Sequence, residues 1–160
     1  KSLVDYKKIV DYYVFFQKVK YYTMDSWLFV ESYHNWQQDF KNNFKYLGID
    51  VKKFQLKKPK KGDQIFTYIS KIKKISDQRE ILSDEIVDTP VSFKYDKIFT
   101  KCILTKEIKL LPEENWIKLD EVVNKLEIFS TSKSPGLKLL NAPIKLSGFD
   151  KNILQEIFSN

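Results

Sequence analysis

The chain has few of the residues that form covalent cross-links, metal sites and phosphate-binding loops. It holds one cysteine, Cys102, and one histidine, His34, so the counts exclude an internal disulfide and a Cys/His zinc site. Its four glycines lie too far apart for a P-loop or a dinucleotide-binding fingerprint. It lacks a run of about eighteen uncharged apolar residues, the length that predicts a membrane span. We therefore expect no cofactor, no metal site and no membrane partner.

The residue patterns of catalysis are also missing. His34 has no serine or cysteine near it in sequence whose proton it could accept, and Cys102 lies in an apolar pattern typical of a packed thiol. Neighbouring residues of a helix point about 100° apart, so adjacent carboxylates there would not converge on a metal or a substrate. The chain is therefore predicted not to be an enzyme. The adjacent acidic pairs are Asp84 with Glu85, Glu113 with Glu114, and Asp120 with Glu121.

Arginine is nearly absent as well, and the positive charge is uneven. The net charge is +7, and the first 62 residues hold 13 lysines against six acidic residues. Pro59 and Gly62 predict a loop or extended arm over residues 52–61. The arm either binds phosphates or is a solvated lysine loop. Since only arginine offers a planar fork for guanine edges, a chain with Arg79 alone should read little sequence. The arm lysines are Lys52, Lys53, Lys57, Lys58, Lys60 and Lys61.

Helical spacing dominates the first 48 residues. Apolar residues in SLVDYKKIVDYYVFFQKVKYY, residues 2–22, recur close to a helical period and predict a helix. Residues 25–47 predict one long amphipathic helix, capped by Thr23 or Asp25 and closed by Gly48. Most of these aromatic side chains are expected in the core. The stripe on the second helix consists of Phe29, Tyr33, Trp36, Phe40, Phe44 and Leu47.

Residues 63–108 predict a helix, a hairpin and a second helix. Asp63 is a good N-cap for DQIFTYISKIKKIS, with Lys71 and Lys74 on the face opposite the isoleucines. The segments REILSDEIV and VSFKY then predict two strands joined at 88–90, an arrangement typical of a wing. A helix followed by such a wing enters a nucleic-acid groove in many binders, although the same faces also serve protein contacts.

A similar pattern follows. Residues 95–110 predict a helix ended by Pro112, LPEENW a turn, and IKLDEVVNKLEIF another helix. After a loop over 130–148, Asp150 is expected to cap the last helix. The exposed face of that helix has no positive bias, which favours a protein contact there. Apolar spacing in the first helix is set by Ile98, Phe99, Cys102 and Ile103, and the predicted partner-binding residues are Lys151, Asn152, Gln155 and Glu156.

These elements predict an α+β, predominantly helical, tandem winged-helix-like fold with helix-turn-helix cores and a short β wing. The first module would span residues 1–95 and include the basic arm at 52–61, and the second would span 96–160. We expect nucleic acid to contact the arm lysines together with Lys71 and Lys74.

The run QIFTYISKIKKISDQREILSDEIVDTPVSFKYDKIFTKCIL resembles the junction between the two winged helices in the C-terminal domain of the Stn-type subunit of the telomeric CST complex. Farther on, IKLDEVVNKLEIF and GFDKNILQEIF resemble the paired helices that close that domain. The resemblance covers residues 64–160 and extends to the ciliate telomerase holoenzyme counterpart. It implies a non-enzymatic telomere-maintenance module in the nucleus that docks CST-like, polymerase α-primase or telomerase subunits and contacts single-stranded DNA.

Two other interpretations stay open. The segment NWIKLDEVVNKL resembles the entry to a helix in La-type RNA-binding winged helices, although the aromatic segment expected about twenty residues earlier is missing. A purely structural dimerisation or scaffold domain is the third interpretation. Binding of single-stranded DNA or RNA with a steep salt dependence would separate the nucleic-acid interpretations from the last one.

Overall fold

A seven-stranded mixed sheet forms the framework of the protein. The computed structural model describes residues 3–96, 99–131 and 133–160. The sheet has the order β2-β5-β4-β3-β1-β7, and β6 pairs with β4. β1 runs parallel to β3, while the other pairings are antiparallel. The strands are β1 Ser26–Glu31, β2 Tyr46–Gly48, β3 Gln64–Ile69, β4 Lys74–Asp88, β5 Lys101–Leu110, β6 Ile117–Lys118 and β7 Ile144–Lys145.

Six helices surround or extend from this sheet. Serine or aspartate side chains cap three of them by accepting a backbone N–H: Ser32 caps α2, Asp50 caps α3 and Ser147 caps α6. α2, β2 and α3 together form the crossover between the parallel strands β1 and β3. The helices are α1 Leu3–Thr23, α2 Tyr33–Lys41, α3 Val51–Lys57, α4 Leu119–Val122, α5 Pro135–Leu139 and α6 Gly148–Ser159.

Both faces of the central strands are buried. On β1, Trp27 and Phe29 pack into one apolar cluster with Leu47 and Ile65, whereas Leu28 packs into the other. A strand that is covered on both faces has no need of polar residues at alternate positions. This explains why the β3 sequence QIFTYI reads as an apolar run with no period-2 signal.

The arginine of this chain lies inside the core, where its side chain is fully buried. Its guanidinium Nε lies 2.7 Å from Asp77 Oδ1, Nη1 lies 2.7 Å from Asp39 Oδ2, and Nη2 lies 3.0 Å from Glu31 Oε2. The guanidinium carbon also sits 4.6 Å from the ring centroid of Phe44. Arg79 therefore ties β1, α2 and β4 together at one point.

Neutral donors complete this cluster, which we call the Arg79 cluster: Arg79, Glu31, Asp39 and Asp77. Burial lowers the pKa of Arg79, but its three carboxylate neighbours raise it well above the ordinary value, so the guanidinium stays charged. Burial, and then the charge of Asp39, raise the pKa of Glu31 well above its ordinary value. The donors are Trp36, Thr67 and Ser76 to Asp77, and Tyr95 to Asp39.

The tandem winged-helix fold is wrong, because the chain forms a mixed α/β sheet domain. The expected recognition helix from Asp63 to Ser76 is strand β3, a turn and the start of β4. Lys71 and Lys73 have left-handed backbone conformations in that turn, with φ of 62° and 58°, which a helix would not allow. Asp63 caps no helix; its carboxylate accepts the indole N–H of Trp27 at 2.9 Å.

Two further predictions of long helices are also wrong. Residues 25–47 form β1, α2 and β2, with Asn43 and Phe44 in left-handed conformations between the last two. Of the predicted stripe, Tyr33, Trp36 and Phe40 do share a helix and stack on one another. The predicted helix over 95–110 is instead loop followed by β5, and Ile98 lies outside the described residues.

Other local predictions are confirmed. Helix α1 covers the first helical pattern, α6 the last one, and REILSDEIV belongs to β4. The last helix turns Leu154 and Phe158 inward as expected.

Three local predictions are wrong. The last helix begins at Gly148 with Ser147 as its cap, so Asp150 is not the cap. The segment VSFKY is loop and not a strand, and IKLDEVVNKLEIF forms β6, the four-residue helix α4 and a 3-10 turn in place of one helix.

The aromatic face of α1 is not core. Tyr6 is 72% exposed and Tyr12 is 70% exposed, and the neighbouring apolar side chains of the helix are exposed as well. Phe54, in contrast, is buried between α3 and the sheet. Among the helices of the described residues, none is both long enough and apolar enough to cross a bilayer.

Replacing Arg79 should destabilise the fold strongly. In Arg79→Leu, three buried carboxyl groups lose their positive partner, and breaking such a buried pair costs about 3–5 kcal/mol. The control is Lys106→Met, which removes a partly exposed ion pair with Glu80 and should cost less than about 1 kcal/mol. Urea unfolding followed by tryptophan fluorescence measures both. Equal losses in the two variants would contradict the role given to the Arg79 cluster.

Glu31 should make stability fall as pH rises. A carboxyl whose folded pKa is raised binds its proton more tightly in the folded state, so its contribution to stability is complete below about pH 4.3. That contribution declines as the pH rises towards the folded pKa, with a limiting slope of about 1.4 kcal/mol per pH unit. Glu31→Gln should flatten this decline. Unfolding free energies measured between about pH 4 and 8 test it, with the exposed Glu85→Gln as control. Parallel pH curves for the parent protein and Glu31→Gln would refute the assignment.

Candidate nucleic-acid interface

A cleft runs along the ends of β1 and β2, beneath the loop that joins β4 to β5. It consists of two hollows that share Val30, Gly48 and Phe99 in their walls. We call the hollow that is lined by Asn35 and Tyr95 the inner hollow, and the one that is lined by Lys53 and Phe54 the outer hollow. Their volumes are about 320 Å³ and about 230 Å³, respectively. The two hollows therefore adjoin each other along the three shared residues.

Polar groups line the inner hollow where β1 passes into α2. Glu31, Ser32 and Asn35 come from this junction, and Ser70 comes from the turn after β3. The Ser70 N–H donates to the Glu31 carbonyl at 2.8 Å, which fixes that turn against β1. Asn35 Oδ1 accepts the N–H of Asp96 at 2.7 Å, while Asn35 Nδ2 donates no hydrogen bond within the part of the chain that the structure describes. The hollow thus offers an amide donor.

The loop over the cleft is rich in aromatic residues and is fastened to α2. Ser32 Oγ donates to Asp96 Oδ2 at 3.0 Å, and His34 Nε2 lies 2.5 Å from the carbonyl oxygen of Lys94. Phe93 is buried and packs edge-on against Tyr46 at 5.5 Å between ring centroids. These contacts hold the loop on both sides of Tyr95.

Gly48 allows the aromatic wall to approach the strand. A Cβ atom at this position would lie 3.0 Å from Tyr95 Cε2 and 3.1 Å from Phe99 Cβ. The rings of Tyr95 and Phe99 contact each other edge-on at 5.9 Å. A side chain at residue 48 would therefore push this wall away from β2.

The ionisable side chains at the floor of the inner hollow are held in place by charged or hydrogen-bonded partners. Glu31 Oε2 lies 3.0 Å from Arg79 Nη2, so the positive guanidinium offsets the charge of this carboxyl at the floor. The Tyr95 hydroxyl donates to Asp39 Oδ1 at 2.7 Å. Burial, and then the charge of Asp39, raise the pKa of Tyr95 far above its ordinary value, so the phenol stays protonated. The ring of Tyr95 is consequently anchored to the Arg79 cluster.

Two of the lysines predicted to bind nucleic acid lie at this cleft. Lys53, on α3, borders the outer hollow, and its Nζ donates to the Leu140 carbonyl at 3.1 Å. Lys71 borders the inner hollow from the turn between β3 and β4. The cleft is thus flanked by a positive side chain at each end.

The remaining predicted lysines lie elsewhere. Lys74 is half-buried at the start of β4, opposite Lys118. The arm is partly helical, since α3 ends at Lys57. The backbone N–H of Lys61 donates to Asp84, in the part of β4 where the pairing with β5 is interrupted. Five arm lysines, exposed and outside the walls of either hollow, are Lys52, Lys57, Lys58, Lys60 and Lys61.

The predicted partner-binding residues of α6 are divided. Lys151 is buried, and its Nζ donates to the Met24 carbonyl at 3.1 Å. Gln155 Oε1 accepts from the side chain of Gln78 at 2.9 Å. Asn152 and Glu156 are exposed. Two of the four side chains thus hold α6 against the rest of the domain.

The cleft residues escaped the sequence analysis because four separate segments supply them. The sequence predicts Glu31 and Asn35 in the middle of one long helix. It predicts Tyr95 at the end of the wing and Phe99 in the helix that follows the wing. The available signals were the spacing of Ser32 and Asn35, which forms a helix cap, and the clustered aromatics after Pro90. No group of His, Cys, Asp and Glu suited to a metal ion occurs among the described residues.

The fold is similar to that of YTH domains. The Pho92 YTH domain, solved in complex with m6A, superposes with a TM-score of 0.60 at 12% identity, covering 86% of this chain and 87% of that one. The YTH domain of Zygosaccharomyces rouxii MRB1, in complex with N6-methyladenosine RNA, gives 0.58 at 9% identity, covering 84% and 87%. A Pseudomonas putida protein gives 0.54 at 9% identity, covering 82% and 98%.

Sequence comparisons add no relatives: no protein-family model and no curated protein matches the chain. At identities of 9–12%, the structural likeness establishes a shared fold. The resemblance of residues 64–160 to a Stn-type subunit is therefore wrong, and with it the telomeric, CST and winged-helix interpretation. The chain has the mixed sheet architecture of YTH domains.

Proposed function

We propose that the chain is a non-enzymatic module that binds single-stranded RNA across the cleft, with one unpaired base in the inner hollow. The observation that carries this proposal is the inner hollow itself, which combines an anchored aromatic wall, a polar floor and flanking lysines. Support comes also from the fold, since neighbours of this architecture were solved in complex with RNA.

The volume of the hollow suits a single base. Ligand pockets span about 300–1,000 Å³, and the inner hollow, at about 320 Å³, lies at the small end of that range. The outer hollow continues past Val30 and Phe99 and offers a path for the adjoining nucleotide. Protein readers of RNA commonly use single-stranded segments because their unstacked bases can be turned outward into such pockets.

The aromatic wall provides a stacking surface. Tyr95 and Phe99 are half-buried and pack against Gly48, whose lack of a side chain lets both residues approach β2. Stacking of a base on an aromatic side chain contributes about 1–3 kcal/mol and tolerates any base. The hydrogen bond from Tyr95 to Asp39 fixes the ring before binding, so little conformational entropy is lost on binding.

The floor provides a hydrogen-bonding partner for a base edge, because Asn35 Nδ2 is a donor. Glu31 also reaches the floor, but its Oε2 accepts from Arg79 Nη2 at 3.0 Å. The positive guanidinium offsets the charge of this carboxyl, which makes the floor compatible with an anionic ligand.

Lysines would supply affinity rather than sequence preference. Lys53 and Lys71 flank the cleft, and the arm lysines extend the positive surface beyond it. Contacts to phosphates position a strand, whereas contacts to base edges specify it. Because the single arginine is buried in the Arg79 cluster, the surface has no guanidinium fork for bidentate base readout.

The La-type alternative loses its basis in this fold. Its residues, NWIKLDEVVNKL, form a 3-10 turn, the short strand β6 and the four-residue helix α4. A scaffold role without nucleic acid remains the outcome to be expected if RNA does not bind at low salt.

Binding through the cleft should depend on Phe99 and Asn35. We expect a fluorescently labelled single-stranded RNA of about ten nucleotides to bind at low salt, and Phe99→Ala or Asn35→Ala to weaken binding about tenfold, the effect of about 1.4 kcal/mol. Fluorescence anisotropy measures this. The matched control is Phe149→Ala, which removes an exposed phenylalanine of α6 outside the cleft.

The same titration should include RNA carrying one N6-methyladenosine and DNA of the same sequence. Tighter binding of the methylated RNA that is lost in Phe99→Ala would extend the proposal to a methylated base. If Phe99→Ala, Asn35→Ala and Phe149→Ala all bind like the parent protein, the cleft is not the binding site.

The arm should contribute through salt-dependent contacts. Replacing Lys57, Lys58, Lys60 and Lys61 with glutamine should reduce the slope of log K against log salt by about 0.7 for each lysine that contacts a phosphate. The control changes four exposed lysines elsewhere, Lys8, Lys18, Lys118 and Lys125, and so has the same net charge. Anisotropy titrations between about 50 and 200 mM salt measure the slope for each of the two variants. Equal slopes in both variants would show that the arm has no specific role.

A further inference from the structure

Helix α1 presents a long apolar surface that the domain leaves uncovered. It is 21 residues long, and its C-terminal end, at Gln17 and Lys20, borders the sheet near Glu80. The remainder extends outward with nine large apolar side chains between 42% and 72% exposed. Isolated apolar residues on a surface are ordinary, whereas a contiguous set marks an interaction site. These side chains are Tyr6, Ile9, Val10, Tyr12, Tyr13, Val14, Phe15, Phe16 and Val19.

The order of these residues is that of a helix-pairing seam. Tyr6, Ile9, Tyr13 and Phe16 follow one another at spacings of three, four and three, which places them on one line along the helix. Val10, Tyr12 and Val19 flank this line. The opposite side carries Lys7, Lys8, Asp11 and Lys18, together with the exposed side chains of Val14 and Phe15. A seam of this kind fits the groove of another helix better than it fits a flat surface.

The composition of α1 indicates that it depends on packing. Tyrosine, phenylalanine, valine and isoleucine are weaker helix formers than alanine or leucine, and they dominate the sequence of α1. In proteins, most of the stability of a helix comes from packing an amphipathic face against other parts of the structure. A partner along the seam would supply the missing packing.

Charge placement identifies the partner as a second copy of the same helix in the opposite direction. We propose that α1 pairs antiparallel with α1 of another molecule. Asp5 lies near one end and Lys20 near the other, so an antiparallel pair brings Asp5 of each copy towards Lys20 of its mate. A parallel pair would place Lys20 beside Lys20. Antiparallel pairing also aligns the helix dipoles favourably.

The pairing fits the spacing and the available area. With Ile9 of one copy opposite Tyr13 of the other, Tyr6 faces Phe16, and the layers repeat symmetrically. A fully buried aromatic residue removes about 150–250 Å² from water, so covering the seam and its flanks buries roughly 600–800 Å² per copy. That is close to the ~800 Å² per partner of a standard specific interface.

RNA is a poorer match to this surface. Bases stack on aromatic rings, but Ile9, Val10 and Val19 interrupt the rings along the seam and its flanks. Membrane binding is disfavoured by Asp5, which lies beside the apolar face. If α1 binds RNA or a membrane, the protein alone should be a monomer in solution. If α1 pairs with a second copy, the protein should have the mass of a dimer.

The test is the mass of the protein in solution. Sedimentation equilibrium of the full chain should give twice 19.1 kDa at high concentration. Ile9→Asp should raise the dissociation constant at least about tenfold, because a buried charge is placed in the seam. The matched control is Val14→Asp, a similar substitution on a half-exposed residue outside the seam, which should leave the mass unchanged. Thermal melting of both variants shows that the sheet domain still folds.

Cross-linking tests the orientation. In a Cys102→Ala background, a mixture of Tyr6→Cys and Phe16→Cys molecules should form mixed disulfides, while each variant alone should cross-link little. Cross-linking of each variant with itself would overturn the antiparallel arrangement. A monomeric parent protein, or equal dissociation by Ile9→Asp and Val14→Asp, would overturn the pairing. The pairing would also be overturned if the protein is a monomer that binds RNA or anionic vesicles and loses this binding in Ile9→Asp. In that case the apolar surface of α1 would bind RNA or membrane and not a second copy.

Discussion

A single buried guanidinium organises the structure around the cleft. Arg79 binds one carboxyl group from each of β1, α2 and β4, and the indole of Trp36 adds a second buried link between α2 and β4. Since a buried charge is tolerable only when it is paired and hydrogen-bonded, each of the three carboxyl groups is held in one position. The Arg79 cluster therefore sets the angle at which α2 leaves the sheet, and with it the shape of the inner hollow.

The influence of the cluster reaches the surface through two side chains. Asp39 holds the hydroxyl of Tyr95, and so the core fixes a ring in the wall of the cleft. Glu31 belongs both to the cluster and to the floor, and the guanidinium of Arg79 offsets the charge of its carboxyl. The interior thus determines the orientation of the wall and the charge of the floor before any ligand binds. Preorganisation of this kind reduces the entropic cost of binding.

Sequence reasoning succeeded where structure is decided locally. Helices α1 and α6 were predicted because their periodicity and caps lie within one continuous segment. The strand β3 was mistaken for a helix because a buried central strand carries apolar residues at most positions, and some of these recur at helical spacing. In β5 only the first half is buried, and the apolar run around Cys102 and Ile103 likewise matched a helical period. Phe44 and Lys71, two of the left-handed residues that interrupt the predicted helices, are of types that give no warning of a turn, whereas Asn43 is of a type common in turns.

The site was harder to predict than the fold elements. Its residues come from the β1–α2 junction, from Gly48, from the turn after β3 and from the loop before β5, and the parallel pairing of β1 with β3 brings them together. That pairing spans 38 residues, between Ser26 and Gln64, and no local signal reports it. Lys53 and Lys71 were selected for their charge alone, and it is the crossover and the turn that carry them to the cleft.

The burial of Arg79 has a consequence for how the outer surface could be controlled. With the one arginine enclosed in the core, lysine supplies the permanent positive charge of the surface. Acetylation removes the charge of lysine and leaves arginine unaffected. A lysine acetyltransferase could therefore reduce the positive potential of the arm and the cleft rim in steps, while the ion pairs that hold the fold together stay intact.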